Sequence, residues 1–224
     1  MKRFSIPTVL FLAAACGPAA DQTYAQDAIL NWGDGYAFVF EGDQYLKYDI
    51  AQDKCYKGPT PIRGNWDFPE EFTRGIDAAI NWGDGYAYFF RGDQYIKYSV
   101  KQDKLYKGPV QISGNWDFPQ SFQSGIDAAI NWHDGYAYFF KGDQYSKHLV
   151  REDRMHKGPV SISGNWDFPS SFVSGIDSAV NWGDGHAFFF NRGNYSKHLV
   201  KEDRMYKGPT PIKGNWDFPP AFAR

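Results

Sequence analysis

The feature that most constrains this chain is a 50-residue unit that occurs four times at constant spacing. The copies begin at four aspartates: Asp27, Asp77, Asp127 and Asp177. Each copy carries Asn-Trp, Asp-Gly, Lys-Gly-Pro and Gly-Asn-Trp-Asp-Phe-Pro at the same offsets. A unit of this size buries its apolar surface only against neighbouring copies. The four copies therefore predict one repeat domain, not four independent ones.

Each unit predicts a meander of short strands. In the second copy we predict strands over 77–82, 86–90 and 94–100, and a short outer strand over 103–106. Asp84-Gly85 and Gly92-Asp93 are tight-turn signals, because glycine adopts positive φ without strain. Gly108-Pro109 is expected to break the ladder. The connector over 112–122 then follows, with a helical turn near its end.

Two sequence features favour closure of these meanders into a ring. The second strand is apolar on both faces, through residues such as Tyr88 and Phe89, whereas a strand with one solvated face would alternate. The first strand is built on Ala78 and Ala79, and small residues suit strands that converge on an axis. The predicted fold class is all-β, a four-bladed β-propeller with blades over 26–75, 76–125, 126–175 and 176–224.

The first 25 residues differ from the repeats. Lys2 and Arg3 precede an apolar run and then small residues, which predicts a secretory signal peptide over 1–25 cleaved after Ala15 or Ala25. A second interpretation is a bacterial lipid anchor on Cys16, and retention of that cysteine would also permit a bridge to Cys55. The run is too short to cross a membrane, and no later segment is long enough. We expect a secreted, extracellular protein.

Composition excludes some functions. The formal net charge is −2, which argues against a general nucleic-acid binder. Carboxylates recur at turn positions in every copy, whereas a catalytic constellation is usually unique in a chain. No nucleophile elbow, phosphate loop or zinc-spaced His/Cys cluster is present. We therefore expect no enzymatic activity. Arg91-Gly92-Asp93 matches an adhesion tripeptide, but we interpret it as a variant of a turn found in the other copies.

The repeat resembles the hemopexin repeat. The resemblance rests on Ile76-Asp77-Ala78-Ala79, the run from Asp84 to Tyr95, and a connector that ends in Trp-Asp-Phe-Pro. It extends over about residues 26–224 and recurs four times, and it implies a four-bladed propeller. It also implies an axial channel in which backbone carbonyls hold a structural Ca²⁺ or Na⁺. The implied ligands are two carbonyls per copy: Asp27 and Ile29, Asp77 and Ala79, Asp127 and Ala129, Asp177 and Ala179. The alternative role for the aspartates is to anchor the first strand through side-chain hydrogen bonds.

Two sets of residues are candidates for ligand binding. His148 and His198 replace Tyr48 and Tyr98 in the third strand and could ligate haem iron, although we favour a simple exchange of one aromatic ring for another. A haem site of the kind that lies between two propellers would require a dimer of this chain or a different geometry. Trp116 and Trp166 could stack on sugars, or could wedge between blades.

The function expected from the sequence is a secreted hemopexin-like binding module with a structural axial cation. Its partner would be a protein or a small ligand such as haem. Two alternatives stay open at this stage: a carbohydrate-binding lectin with one site per blade, and a structural or storage protein of the seed-albumin kind.

Overall fold

The computed structural model describes residues 27–223, which form sixteen strands in four antiparallel sheets. The first sheet contains β1 (Ala28–Asn31), β2 (Tyr36–Glu41), β3 (Gln44–Asp49) and β4 (Lys54–Pro61). The second contains β5 (Ala78–Asn81), β6 (Tyr86–Arg91), β7 (Gln94–Ser99) and β8 (Lys104–Gln111). The third contains β9 (Ala128–Asn131), β10 (Tyr136–Lys141), β11 (Gln144–Leu149) and β12 (Arg154–Ser161). The fourth contains β13 (Ser178–Asn181), β14 (His186–Asn191), β15 (Asn194–Leu199) and β16 (Arg204–Pro211).

The four sheets close into a ring. Each pairs its strands in chain order, so the first strand of every sheet is an inner edge. The inner strands are neighbours in a cycle: β1 lies beside β5, β5 beside β9, β9 beside β13, and β13 beside β1. This arrangement confirms the four-bladed propeller, and we call the sheets blades 1 to 4. The predicted signal peptide and Cys16 lie outside the described residues.

Both faces of the second strand are buried, as the sequence predicted. In β6, Ala87 and Phe89 pack into a core cluster with residues of blade 1. Tyr88 and Phe90, on the opposite face, pack with residues of blade 3. The core therefore consists of four apolar layers between adjacent blades, and these layers position the first strands around the axis.

One aspartate per blade ties the connector to the next outer strand. The Leu105 amide donates to Asp67 Oδ2 at 3.1 Å, across the junction between blades 1 and 2. The Cys55 amide donates to Asp217 Oδ2 at 3.0 Å, so the same bond joins the last blade to the first. Cys55 is a free thiol. Ring closure thus uses a repeated hydrogen bond and apolar packing.

The outer strand is longer than the sequence predicted. β8 covers eight residues and continues through Gly108-Pro109, where we expected the ladder to end. The pairing of β7 with β8 shifts register between Tyr95 and Lys97, so Gly108 and Pro109 form a β-bulge in the outer strand. The outer strand is an edge, where proline is tolerated because no strand lies beyond it. Gly108 has φ 116°, and a Cβ there would lie 2.8 Å from the Tyr95 carbonyl oxygen. The predicted helical turn is present as a 3₁₀ turn over Gln120–Phe122.

Candidate functional site

The register of the inner strands determines which carbonyls face the axis. Glu41 pairs with Gln44 across a two-residue turn, so alternate residues of β2 bond to β3 and the others to β1. The Trp32 amide donates to the Tyr36 carbonyl at 2.9 Å, so even-numbered residues of the first strand bond to β2. The main-chain groups of Ile29 and Asn31 must then point away from the blade, toward the axis. The residues equivalent to Ile29 are Ala79, Ala129 and Ala179.

A ring of asparagines surrounds one end of this channel. Each Nδ2 donates to the carbonyls of the Asn-Trp pair in the preceding blade, at 2.9–3.3 Å. The members are Asn31, Asn81, Asn131 and Asn181, and the bonds from Asn31 to blade 4 complete the cycle. Each Oδ1 accepts an amide hydrogen from the residue two positions later. Sequence reasoning missed this ring, although Asn-Trp recurs in every copy.

The asparagine ring leaves one level of carbonyls without a protein partner. The asparagine side chains donate to the carbonyls of Asn31 and its equivalents. Ile29, Ala79, Ala129 and Ala179, which form the next level along the axis, are each 2% exposed. No side chain of the described residues donates to the carbonyls of these four. These four residues line a cavity of about 80 Å³ on the axis, beneath the asparagines. The same alternation of hydrogen bonds along the first strand directs the N–H groups of Ile29, Ala79, Ala129 and Ala179 toward the axis. Hard cations such as Ca²⁺ and Na⁺ accept backbone carbonyls as ligands, so this donor set fits such an ion.

The four aspartates lie at the opposite end of the channel. Their Oδ2 atoms accept amide hydrogens at 2.6–2.7 Å from the turn after the second strand, as in the Gly42–Asp27 and Gly92–Asp77 pairs. Side-chain anchoring of the first strand is therefore present. No group of three or more His, Cys, Asp or Glu side chains within 27–223 is arranged to hold a metal. Any ion on the axis would depend on the carbonyls.

The carboxylates at the aspartate end lie close enough to influence one another. Burial raises the pKa of Asp27 above its usual range, and the neighbouring carboxylates of Asp77 and Asp177 raise it further. Burial likewise raises the pKa of Asp177, with a contribution from Asp127. Burial is the larger cause of both raised pKa values, and repulsion from the neighbouring carboxylates adds to it. Basic residues offset part of this charge: Arg91 lowers the pKa of Asp27, Arg192 lowers that of Asp177, and Lys141 Nζ lies 3.5 Å from Asp127 Oδ1.

The asparagine end departs from four-fold symmetry at one position. His133 occupies the place of Gly33, Gly83 and Gly183 and lines the mouth of the cavity. Its φ is +66°, in the region where glycine is unstrained. Its ring is exposed, and its amide donates to Asn131 Oδ1 like the glycine amides it replaces.

His148 and His198 lie inside the blade junctions. Each ring is 1% exposed. His148 Nε2 shares a hydrogen bond with Ser146 Oγ at 3.1 Å, and His198 shares the equivalent bond with Ser196. Burial lowers the pKa of each imidazole to about 4. In blades 1 and 2 the same slot holds a tyrosine, and the Tyr98 hydroxyl donates to Asp103 Oδ1 at 2.9 Å.

Trp116 and Trp166 pack between blades. Trp116 is 8% exposed, stacks on Phe118 with a 9° interplanar angle, and contacts Phe139 of the next blade. Trp166 stacks in the same way on Phe168. Trp166 is half-buried and, together with His198, lines a second cavity of about 220 Å³ between blades 3 and 4.

Sequence comparison identifies the repeat. The hemopexin family profile matches residues 27–70, 76–120 and 126–170, which together are more than half of the chain. The chain belongs to the hemopexin family. No curated protein sequence matches this hemopexin chain. Within the described part of the chain, helices are too short and too polar to span a membrane.

Solved structures share this hemopexin fold. A seed albumin from Lathyrus sativus is 27% identical with a TM-score of 0.78, covering 87% of this chain and 95% of its own. A plant albumin from Cicer arietinum showing hemagglutination is 22% identical with a TM-score of 0.76, covering 85% and 94%. A plant lectin with two metal-binding sites, also from Cicer arietinum, is 24% identical with a TM-score of 0.70, covering 84% and 90%.

Proposed function

We propose that this hemopexin propeller is a non-catalytic binding protein whose axial channel holds a structural Ca²⁺ or Na⁺. The observation that carries the proposal is the level of four buried carbonyls at Ile29, Ala79, Ala129 and Ala179. The carbonyls of the four aspartates, at the adjacent mouth, would complete the coordination. The carboxylates there would draw the cation into the channel, and the bound cation would offset their mutual repulsion.

The repeated carboxylates support binding over catalysis because they have structural partners. Asp34 accepts the Tyr36 amide at 3.1 Å, within its own turn, and this bond recurs in the other blades. The connector and first-strand aspartates accept amide hydrogens as described above. These bonds occupy carboxylates that a general acid or base would need free.

Thermal unfolding in defined cations tests the axial ion. Protein exchanged into chelator and choline buffer should melt several degrees lower than protein supplied with Ca²⁺ or Na⁺. Asp77→Asn should weaken that response, because it removes a carboxylate from the mouth but keeps the acceptor for Gly92. An exposed substitution on an outer strand, Lys104→Gln, is the control. A melting temperature independent of every cation would refute the proposal.

Secretion and ligand class also belong to this proposal. We infer that residues 1–25 direct export, with a lipid anchor on Cys16 as the alternative, and that the ligand is a protein or a small molecule.

Haem ligation by His148 or His198 does not fit the arrangement, because both rings are buried and hydrogen-bonded to serine. A haemin titration should leave the Soret band unshifted. A shift abolished by His198→Ala would restore haem as the ligand.

Carbohydrate binding is the second candidate. Three tyrosines are 60–63% exposed on the outer strands, namely Tyr56, Tyr106 and Tyr206. Each lies beside a lysine that also approaches an inner ring, as Lys97 Nζ does at 4.1 Å from Tyr86. Exposed rings beside hydrogen-bond donors suit sugars. Glycan-array binding that is lost in Tyr106→Ala would support this candidate, whereas no binding at all would favour a storage role.

A further inference from the structure

The junction between blades 3 and 4 combines two replacements that no other junction combines. His198 takes the place of the junction tyrosine, and His156 takes the place of the exposed tyrosine on the outer strand. Where the tyrosine remains, as in Tyr98, its hydroxyl reaches the aspartate of the outer turn. Without that hydroxyl, Asp203 has no hydrogen-bond partner among residues 27–223. The cavity of about 220 Å³ occupies this junction.

Two lysines form one wall of the cavity. Lys147 and Lys157 are directly opposite each other on β11 and β12, a like-charge pairing that destabilises a sheet. Neither has a carboxylate within 4 Å in the described part of the chain. Lys147 Nζ lies 3.7 Å from the centre of the Tyr136 ring, which holds it in place. The carboxylates of Asp167 and Asp203 line the same cavity but lie more than 4 Å from both ammonium groups, so the lysines stay free to bind an anionic ligand directly.

The other walls suit a hydroxylated ring. Trp166 is half-buried and offers an apolar surface, and Asp203 offers an acceptor from blade 4. Asn165 donates its amide to the Ser161 carbonyl at 3.1 Å, which leaves its Oδ1 as a second acceptor. Asp167 is already occupied by the Met205 amide. The cavity is smaller than the roughly 300–1,000 Å³ of pockets for drug-sized ligands, so it suits a single sugar ring.

We propose that the pocket between blades 3 and 4 binds an acidic monosaccharide, with its carboxylate on Lys147 and Lys157. The apolar face of the ring packs on Trp166, and hydroxyls donate to Asp203 and Asn165. This inference rests on the carbohydrate-binding candidate and specifies its ligand class and its site. It does not depend on the axial cation.

Isothermal titration of the full chain with glucuronate, galacturonate, glucose, galactose and inorganic phosphate tests the ligand class. We expect one uronate site per chain, with the neutral sugars and phosphate binding at least tenfold more weakly. Neutral sugars that bind as tightly as uronates would overturn the acidic-sugar assignment but leave carbohydrate binding standing. Phosphate that binds equally well would overturn the sugar assignment. Binding of none of these would overturn the inference, while the cation-dependent melting tests the channel independently.

Two variants test the location. Lys157→Gln should weaken uronate binding at least tenfold, because it removes one of the paired charges, whereas Lys57→Gln in blade 1 should leave it unchanged. Ser196→Ile with His198→Tyr copies the Ile96/Tyr98 pair of blade 2 and should abolish binding, since the new hydroxyl reaches Asp203. A preserved melting temperature would show that this variant folds. Unchanged affinity in both variants would refute the site.

Discussion

Blades 1 and 2 differ from blades 3 and 4 in the middle of the third strand. The first pair of blades carries an aliphatic residue and a tyrosine there, as in Ile96 and Tyr98. The second pair carries serine and histidine, as in Ser146 and His148. All four rings pack against the Trp and Phe of the preceding connector. The junction therefore requires an aromatic ring, and it accepts two different ways of satisfying the polar atom on that ring.

The two solutions place the polar contact at different depths. The Tyr48 hydroxyl extends to Asp53 on the outer turn, at 2.8 Å. The histidine ring is shorter and turns its Nε2 inward to a serine on its own strand. Blades 3 and 4 consequently keep an aspartate on the outer turn without a tyrosine hydroxyl. The exchange thus alters the outer turn as well as the core, and a pocket lies at the junction where the outer strand also carries histidine.

The largest expected difference between the halves is in acid stability. The imidazole pKa values of His148 and His198 are about 4 in the folded state and near 6.5 when unfolded. Their contribution to stability is complete above pH 6.5 and is lost as the pH falls toward 4, up to about 3 kcal/mol each. Replacing both Ser/His pairs by Ile/Tyr should remove most of this loss. Urea unfolding at pH 7 and pH 4.5 measures it.

The reverse exchange is the control for acid stability. Ile96→Ser with Tyr98→His adds a third buried histidine in blade 2, so the loss of stability at low pH should become larger. The raised aspartate pKa values at the channel mouth are common to all these variants and cancel in the comparison. Identical pH dependence in the wild type and both exchanged proteins would contradict the assignment.

The asparagine ring should show no difference between the halves. Asn81→Ala removes two donated bonds and leaves the carbonyls of Asn31 and Trp32 unpaired, at a cost of about 2–4 kcal/mol. Asn181→Ala makes the same change in blade 4 and should cost the same within about 1 kcal/mol. Chemical denaturation of the two variants tests the equality. A large difference between the unfolding free energies of the two variants would show that the ring stabilises only one half.

The smallest expected effect is the loss of one tyrosine hydroxyl. Tyr98→Phe removes the bond to Asp103 and should cost about 1 kcal/mol. Tyr95→Phe is the matched control, because Tyr95 is 5% exposed and donates no hydrogen bond to the described residues. Equal costs for both variants would show that the bond to the outer turn adds nothing measurable.

The sequence predicted the ring more completely than the site. Period, tight turns, doubly apolar second strands and the resemblance to hemopexin repeats together indicated four blades. The axial carbonyls were expected from the resemblance alone, and their role as ion ligands stays a prediction; the strand register directs the carbonyl of Ile29 and its equivalents toward the axis. The asparagine ring escaped prediction because its bonds cross between blades. The junction pocket was not predicted because its lining residues, such as His156 and His198, lie in different copies and meet only in the closed ring.

The central claim is a cation held by carbonyls on the axis, and anomalous diffraction from crystals grown with Ca²⁺ tests it most directly. We expect a peak on the four-fold axis with the carbonyl oxygens of Ile29, Ala79, Ala129 and Ala179 about 2.3–2.6 Å away or linked through water. The asparagine ring should be intact above it. The same measurement is made on crystals in which Rb⁺ replaces Na⁺. Well-ordered density on the axis that gives no anomalous signal with either Ca²⁺ or Rb⁺ would contradict the account.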